Sequence, residues 1–227
     1  MSTVAHDVTV VIPARNEAPT IGAVIAGCRP HCARVLVVDG HSTDGTRDHA
    51  VNAGADVILD GGRGKGDAIR TAIPAITTPF VVFIDADGSH DPDDIPRLIA
   101  PLASGAADHV GGSRLMGGSS ELHGGFDEFW RLTGSSFITA VINWRFGVRI
   151  SDSQNGFRAL RTDVLRQLDL RENLTTIEQE MVIKTIKRGF RLTEVPAHEY
   201  ARRHGVSHIR LTRVSHRYVW VLLREIF

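Results

Sequence analysis

The chain has 227 residues, of which 42% are hydrophobic, so it can bury a full core as one large domain or two small ones. Its 26 lysines and arginines balance its 26 aspartates and glutamates. This neutrality excludes the strong positive field of proteins that bind nucleic acid by charge, and we expect no nucleic-acid partner.

The first half of the chain alternates β-branched apolar runs with helical patterns. Strands are predicted at 8–13, 34–39, 56–59, 80–84 and 107–111, and helices at 18–28, 43–53, 65–76 and 93–103. Continuous apolar strands separated by helices indicate an α/β protein with a mostly parallel central sheet and helices on both faces. Ligands of such sheets bind beyond the carboxyl ends of the strands, where several polar segments of this chain fall.

The composition changes after Arg114, where the segment LMGGSSELHGG is rich in glycine and serine. Helices are then predicted at 126–146, 162–168, 176–189 and 211–227, with strands at 156–160 and 191–196. The first of these helices contains Trp130 and Trp144, which either pack in the core or lie at a bilayer surface. The chain has no internal repeat, and we predict one domain over residues 1–227 with a specialised second half.

Signals for sorting and for metal binding by cysteine are weak. The N-terminal residues lack the basic region and long apolar core of a secretory signal peptide. No apolar run approaches the ~20 residues of a membrane span. Cys28 and Cys32 lack the second ligand pair of a structural zinc site and are typical thiols of a reducing compartment. We predict a cytoplasmic protein, either soluble or held peripherally at the inner face of the membrane.

The segment FVVFIDADGSHDPDDI, residues 80–95, collects five aspartates at the end of an apolar strand. Like charges in such a place cost stability unless a cation or a hydrogen-bond network compensates them. An EF-hand calcium loop starting at Asp85 is excluded, because Gly88 occupies position 4 and Pro96 occupies position 12. The carboxylates therefore need another explanation.

The last three aspartates of this segment, Asp91, Asp93 and Asp94, fit a turn and a helix cap. Two interpretations remain for Asp85 and Asp87. An apolar strand ending in D-x-D-G-S resembles the nucleophile motif of haloacid-dehalogenase-like phosphatases. Alternatively, two carboxylates one residue apart can hold a divalent cation that bridges the phosphates of a nucleotide-sugar.

Eight motifs follow one another along nearly the whole chain: VVIPARNEA, VVDGHSTDGT, GKGDAIR, FIDADGSHDPDDI, GGSR, SDSQNGFRAL, EQEM and RRHGVS. Together they resemble the family-2 inverting glycosyltransferases, and within them the dolichol-phosphate mannosyltransferase-like branch of polyprenyl-phosphate sugar synthases. The resemblance implies a GT-A (Rossmann-like) fold and a metal-dependent hexosyltransferase. It implies inverting transfer from GDP-mannose or a UDP-sugar to a polyprenyl or dolichyl phosphate. A soluble hydroxyl acceptor and a non-catalytic binding protein remain as alternatives.

The same resemblance implies that residues 1–114 bind the nucleotide-sugar. The implied donor contacts are Pro13, Arg15, Glu17, Asp39, Lys65, Asp85, Ala86, Asp87, Arg114 and Arg202. Asp85 and Asp87 are the implied ligands of Mg²⁺ or Mn²⁺, although Ser89 stands where some relatives have a glutamine that helps to hold the cation. Asp87 is also the first of the implied catalytic residues.

Residues 115–227 are implied to bind the acceptor and to include amphipathic helices that contact a membrane peripherally. The implied acceptor or phosphate contacts are Gln154, Arg158, Ser207 and His208. Asp152 and Glu180 complete the implied catalytic set, since a hydroxyl acceptor would need a general base. Glu178, in the same EQEM motif as Glu180, is predicted to lie at the surface.

Overall fold

Strands and helices alternate along the residues that this computed structural model describes, which are 5–120, 126–201 and 211–226. The strands are β1 (Val8–Ala14), β2 (Arg34–Asp39), β3 (Asp56–Leu59), β4 (Phe80–Phe83), β5 (His109–Ser113), β6 (Arg158–Arg161) and β7 (Leu192–Pro196). The helices are α1 (Ile21–Cys28), α2 (Thr46–Asn52), α3 (Lys65–Ala72), α4 (Ile95–Ala103), α5 (Arg114–Gly117), α6 (Phe126–Phe146), α7 (Thr162–Gln167), α8 (Ile177–Lys187) and α9 (Leu211–Ile226).

The strands form one sheet in the order β3-β2-β1-β4-β6-β5-β7. The first four are parallel to one another, because a helical crossover separates each strand from the next. β6 runs antiparallel to both of its neighbours, β4 and β5, and β7 is again parallel to β5. The predicted, mostly parallel sheet is therefore confirmed.

Alternate residues of each strand pack against opposite layers of helices, as the two-residue period of a strand requires. In β1, Val10 and Ile12 belong to the cluster that includes α1 and α4, whereas Val11 belongs to the cluster that includes α3, α7 and α8. Full burial of each such aliphatic side chain contributes about 1.5–3 kcal/mol. The sheet is thus covered on both faces, which was also predicted.

Two boundaries differ from the sequence prediction for local reasons. The helix predicted at 65–76 ends at Ala72, because Pro74 has no amide hydrogen and the chain continues as a 3₁₀ turn at Ile73–Ala75. The short helix α5 was not predicted within the Gly/Ser-rich segment. Its cap is Ser113, whose Oγ accepts the backbone N–H of Met116 at 3.2 Å.

The predicted cap in the acidic segment is confirmed. The Oδ1 atom of Asp91 accepts the backbone N–H of Asp93 at 3.0 Å, at the start of a 3₁₀ turn that leads into α4. Asp93 also lies 2.9 Å from His31 Nε2. These aspartates therefore stabilise a turn, and the chemistry of the segment rests on the pair that precedes them.

A third apolar cluster joins α6, α8 and α9 beside the sheet. Ile142, Ile183 and Leu222 are among its buried members. The opposite side of α6 is open, and Trp144 is 83% exposed. Helix α6 therefore packs in the core with one face and presents an aromatic residue with another, while the side chain of Trp130 lies outside the described residues. None of the helices in the described residues is both long and apolar enough to cross a membrane.

Candidate functional site

The sheet brings five polar segments to one edge. Asp39, the last residue of β2, pairs with Ala14 of β1 and with Leu59 of β3, so the carboxyl ends of these strands are level. The end of β4 meets the beginning of the antiparallel β6, because Phe83 pairs with Arg158. The segments that follow β1 to β4 and the one that precedes β6 therefore share one edge, as the parallel topology predicts. We call residues 15–17, 39–45, 60–67, 85–90 and 152–157 the polar edge.

The two aspartates of the D-x-D sequence have different surroundings. Asp87 is 5% exposed, and its Oδ1 atom accepts the backbone N–H of Ser89 at 3.0 Å. One carboxylate oxygen of Asp85 lies 2.5 Å from Lys65 Nζ, and the other lies 3.7 Å from Nε2 of His90. Burial acts to raise the pKa of the Asp85 carboxyl, but Lys65 and His90 outweigh it and hold this pKa well below its usual range. Asp85 is therefore an ionised, internally compensated carboxylate.

Lys65 is shared between two carboxylates from distant parts of the chain. Its Nζ atom lies 2.8 Å from Oε1 of Glu178, in addition to the contact with Asp85. Burial acts to lower the pKa of the Lys65 ammonium, but the two carboxylates outweigh it and raise that pKa. A Cβ atom on Gly156 would lie 2.5 Å from Nζ, so only a glycine leaves room for this arrangement.

Arg114, directly after β5, forms a second cluster of charges. Its Nε and Nη2 atoms donate to the two carboxylate oxygens of Asp152 at 2.6 and 3.0 Å, and Nη1 donates to Glu199 at 3.3 Å. Burial acts to raise the pKa of Asp152, but the charge and hydrogen bonds of Arg114 outweigh it and lower that pKa. The carboxylate of Glu194 orients Asp152 further, accepting its backbone N–H at 2.7 Å.

Asp39 has one carboxylate oxygen that the protein leaves unsatisfied. The Oδ2 atom accepts the backbone N–H of Ser42 at 3.0 Å and lies 3.4 Å from Nε of Arg47. The Oδ1 atom is buried and has no hydrogen-bond partner within the described part of the chain. A buried acceptor without a donor costs about 1–3 kcal/mol. A ligand N–H or O–H that reached this atom would therefore recover this energy.

The sequence model of glycosyl transferase family 2 matches residues 9–169, which include β1 apart from its first residue, β2 to β6 and the whole polar edge. The chain belongs to glycosyl transferase family 2. Membership in this family overturns the phosphatase interpretation of Asp85 and Asp87.

Several curated relatives of the glycosyltransferase come from Haloferax volcanii, and two of them are informative. Glycosyltransferase AglJ is 36% identical over 200 residues, which cover 87% of this chain, and the chain spans only 64% of the length of AglJ. A dolichyl-phosphate hexose transferase is 32% identical over 195 residues, covering 84% of this chain and 81% of the relative. These similarities support the polyprenyl-phosphate branch predicted from the motifs.

A solved structure confirms the GT-A fold. Glucosyl-3-phosphoglycerate synthase from Mycobacterium tuberculosis, crystallised with Mn²⁺, UDP and glucosyl-3-phosphoglycerate, superposes with a TM-score of 0.76 at 24% identity. The match covers 97% of this chain and 80% of that synthase. At 24% identity, this similarity supports a shared fold and does not extend to a shared activity.

The structure places most of the predicted site residues of the glycosyltransferase at or beside the polar edge. Arg15 is exposed, Pro13 and Glu17 are half-buried, and Ala86 is buried between the two aspartates. Gln154 is half-buried, and its Nε2 atom donates to Ser153 Oγ at 3.0 Å. Their roles in binding remain predictions. The predicted residues Arg202, Ser207 and His208 lie outside the described residues.

Two other predicted residues are engaged in buried structural contacts. Arg158 is 2% exposed. Its Nε atom donates to the backbone oxygen of Asn155 at 3.0 Å, and its Nη1 atom donates to the backbone oxygen of Glu178 at 3.0 Å. Glu180 is buried, accepts the backbone N–H of Glu172 at 2.9 Å and lies 2.7 Å from Lys184 Nζ. These contacts leave both side chains little freedom to meet an acceptor.

The prediction that Glu178 lies at the surface is wrong, because this residue is 3% exposed and binds Lys65. Helix α8 is buried on every side from Ile177 to Thr185, so its sequence has no amphipathic period that would reveal which face meets the polar edge. Glu199 was also missed. It lies three residues before the arginine-rich RRHGVS motif, which is the sequence signal that could have pointed to it.

We expect replacement of Asp39 by Asn to raise the KM for the nucleotide-sugar by about tenfold, because a charge-assisted hydrogen bond contributes about 1.5 kcal/mol or more. The kcat should change little, since Asp39 is predicted to contact the donor rather than the reacting atoms. Initial rates over a range of donor concentrations would measure both constants. Asp56→Asn, at the exposed beginning of β3, is the matched control, and equal KM values for the two variants would contradict the predicted role of Asp39.

Proposed function

We propose that this glycosyltransferase moves a sugar from a nucleotide-sugar to a polyprenyl or dolichyl phosphate, with inversion at the anomeric carbon. The observation that carries the proposal is the convergence of Asp39, Asp85 and Asp87 on the polar edge. The unpartnered Oδ1 atom of Asp39 would accept a hydrogen bond from the base or ribose of the donor. The D-x-D pair would face the diphosphate. The name of the dolichyl-phosphate hexose transferase relative supports the lipid acceptor.

The chemistry of Asp85 and Asp87 fits Mg²⁺ or Mn²⁺. Carboxylate oxygens are the ligands that these hard cations prefer, and Mg²⁺ needs only one or two of them when substrate phosphates complete its shell. Among the described residues, no group of three or more His, Cys, Asp or Glu side chains forms a metal site without a substrate. Asp87 and Asp85 would thus hold the ion together with the diphosphate. When bound, the ion would neutralise the charge that develops on the leaving group.

The proposed reaction is a single displacement. An oxygen of the acceptor phosphate attacks the anomeric carbon, the bond from that carbon to the diphosphate oxygen breaks, and the electron pair leaves with the nucleoside diphosphate. A phosphate monoester with a second pKa of about 6 is already ionised near neutral pH, so the attack needs no strong general base.

The state of Asp152 supports an acceptor of this kind. Both of its oxygens bind Arg114, and the resulting low pKa makes the carboxylate a poor base for a hydroxyl group. Asp152 would instead keep the guanidinium of Arg114 oriented beside the polar edge. A phosphate acceptor matches this arrangement better than a sugar or alcohol hydroxyl does.

We also infer a peripheral position at the inner face of a membrane, where a lipid acceptor would be found. Trp144 on α6 and Trp220 on α9 are 83% and 64% exposed, and these two helices pack against each other. Arg145 and Arg217 are exposed on the same helices. Tryptophan at the lipid interface and arginine near anionic headgroups are the combination that holds amphipathic helices on a bilayer.

The double variant Trp144→Ala/Trp220→Ala should lose most of its binding to vesicles that contain anionic lipid, because each tryptophan buries a large apolar surface in the interface. Sedimentation with phosphatidylglycerol–phosphatidylcholine vesicles would measure the bound fraction. Val51→Ala on α2 removes an exposed apolar residue elsewhere and should bind like the unaltered protein. Equal sedimentation of all three proteins would exclude this surface.

An assay of sugar transfer tests the proposed activity. The protein would be incubated with Mn²⁺ or Mg²⁺, a panel of GDP- and UDP-sugars and a short polyprenyl phosphate, and mass spectrometry would follow the lipid. A glycosyl-phosphoryl lipid is the expected product, and its mass identifies the sugar. Transfer to a soluble hydroxyl acceptor only would overturn the lipid acceptor. Absence of transfer from every donor would overturn the activity.

A further inference from the structure

The Lys65 ammonium forms ion pairs with two carboxylates of the protein itself. It lies 2.5 Å from Asp85 and 2.8 Å from Glu178, and the Glu178 side chain is 4% exposed. The second oxygen of Glu178 is buried without a hydrogen-bond partner in the described part of the chain, so its ion pair is the one with Lys65, while the charge of the buried Arg158 acts on it without that contact. A diphosphate would have to compete with two carboxylates for this lysine.

The neighbourhood is built to hold this lysine in place. Gly156 lies against Lys65 and Asp85, since a Cβ atom there would be 2.5 Å from Lys65 Nζ and 3.1 Å from Asp85 Oδ2. Arg158, two residues later, donates to the backbone oxygen of Glu178 and so anchors the beginning of α8 beside the ion pair. The Glu178 end of the contact is therefore fixed by buried structure, and Gly156 leaves room for the Lys65 end.

We propose that Lys65, anchored by Glu178, is an internal counter-ion of the D-x-D pair that orients Asp85 and keeps the affinity of the pair for a divalent cation low until a diphosphate is present. The inference rests on the proposed function, because it concerns the same donor site. It assigns Lys65 a positioning role instead of the donor contact implied by the sequence.

Electrostatics explains why such a lysine couples metal and donor. A divalent cation at Asp87 and Asp85 would be repelled by an ammonium that already touches Asp85. A nucleoside diphosphate brings the negative charge that offsets both cations, so the ion and the nucleotide are stabilised together. The lysine also explains how the acidic strand end is compensated within the protein.

Binding of Mn²⁺ alone, followed by electron paramagnetic resonance of the free ion, tests this coupling. Lys65→Met should bind Mn²⁺ about tenfold more tightly than the unaltered protein, because it removes a positive charge beside the carboxylates. Lys65→Arg keeps the charge and should retain the original affinity. Lys184→Met is the matched control, since Lys184 pairs with Glu180 on α8 at 2.7 Å but does not adjoin the D-x-D pair. Its Mn²⁺ affinity should not change.

Glu178→Gln gives a second, opposite prediction that does not depend on the folding of Lys65→Met. With Glu178 neutralised, the charge of Lys65 is less compensated, and Mn²⁺ alone should bind several-fold more weakly. Unchanged or tighter binding in Glu178→Gln would overturn the counter-ion role. So would a folded Lys65→Met protein that binds Mn²⁺ no more tightly than the original.

The same titration with UDP and then GDP present separates this inference from the proposed function. If the unaltered protein binds Mn²⁺ with a nucleotide but Lys65→Met shows no change without one, only the counter-ion role fails. If the unaltered protein binds no Mn²⁺ even with either nucleotide, the metal-assisted reaction and the counter-ion role both fail.

Discussion

Replacing Asp87 by Asn is expected to lower the kcat of sugar transfer by about 10²–10³-fold, equivalent to about 3–4 kcal/mol of transition-state stabilisation. Asp87 is buried in the segment that follows β4, and its Oδ1 atom accepts the backbone N–H of Ser89. An amide keeps the size of the side chain but removes the charge that would attract the cation. Rates at saturating donor and acceptor, measured across a Mn²⁺ titration, would give kcat and the metal requirement together.

The control for this variant is Asp93→Asn, which changes an aspartate six residues away in the same acidic segment. Asp93 belongs to the turn before α4 and lies next to His31, so its replacement should leave kcat within about twofold, as is usual for exposed positions. A similar loss in both variants would indicate general damage to the segment. Full activity in Asp87→Asn would remove this residue from the mechanism.

Replacing Arg114 by Gln is expected to destabilise the protein by about 3–5 kcal/mol, because it leaves a buried carboxylate without its partner. Asp152 is buried and receives both Nε and Nη2 of Arg114, and Glu199 loses Nη1 in the same change. Urea unfolding at neutral pH would measure the loss. The double variant Arg114→Gln/Asp152→Asn should recover part of it, since one unpaired charge disappears.

The pH dependence of this pair has a definite sign. Arg114 lowers the pKa of Asp152 in the folded protein, so the stabilisation is complete above the usual aspartate value of 3.8 and is lost as the pH falls through the lower, folded value. Arg114→Gln should lack this acid-dependent part. Arg161→Gln breaks an exposed pair with Asp163 and should cost less than about 1 kcal/mol. An equal cost for both arginines would contradict the importance of burial.

The architecture was predictable because the patterns that specify it are local. Continuous apolar runs mark parallel strands, and the rule that ligands bind at their carboxyl ends placed the D-x-D pair correctly on the polar edge. The antiparallel insertion of β6 was not predicted, since no local pattern states which strand lies next to which.

The sequence did not predict which charged side chains of the site pair with each other. Lys65 begins α3 directly after a glycine-rich segment and looked available for a phosphate, but the fold brings it to Glu178, more than a hundred residues later in the chain. Whether a charged side chain faces a ligand or another residue depends on tertiary packing. The uniform burial of α8 concealed the orientation of Glu178 for the same reason.

The strand order limits how this protein can be divided for engineering. β5 has β6 and β7 as its neighbours, and both lie later in the chain. A fragment that stops before residue 158 would contain Asp39, Lys65 and the D-x-D pair, yet it would leave β5 without either neighbour and β4 without its second one. The half that carries most of the predicted donor contacts is therefore not a portable module, and grafting it onto another acceptor half requires β6 and β7 to be carried with it.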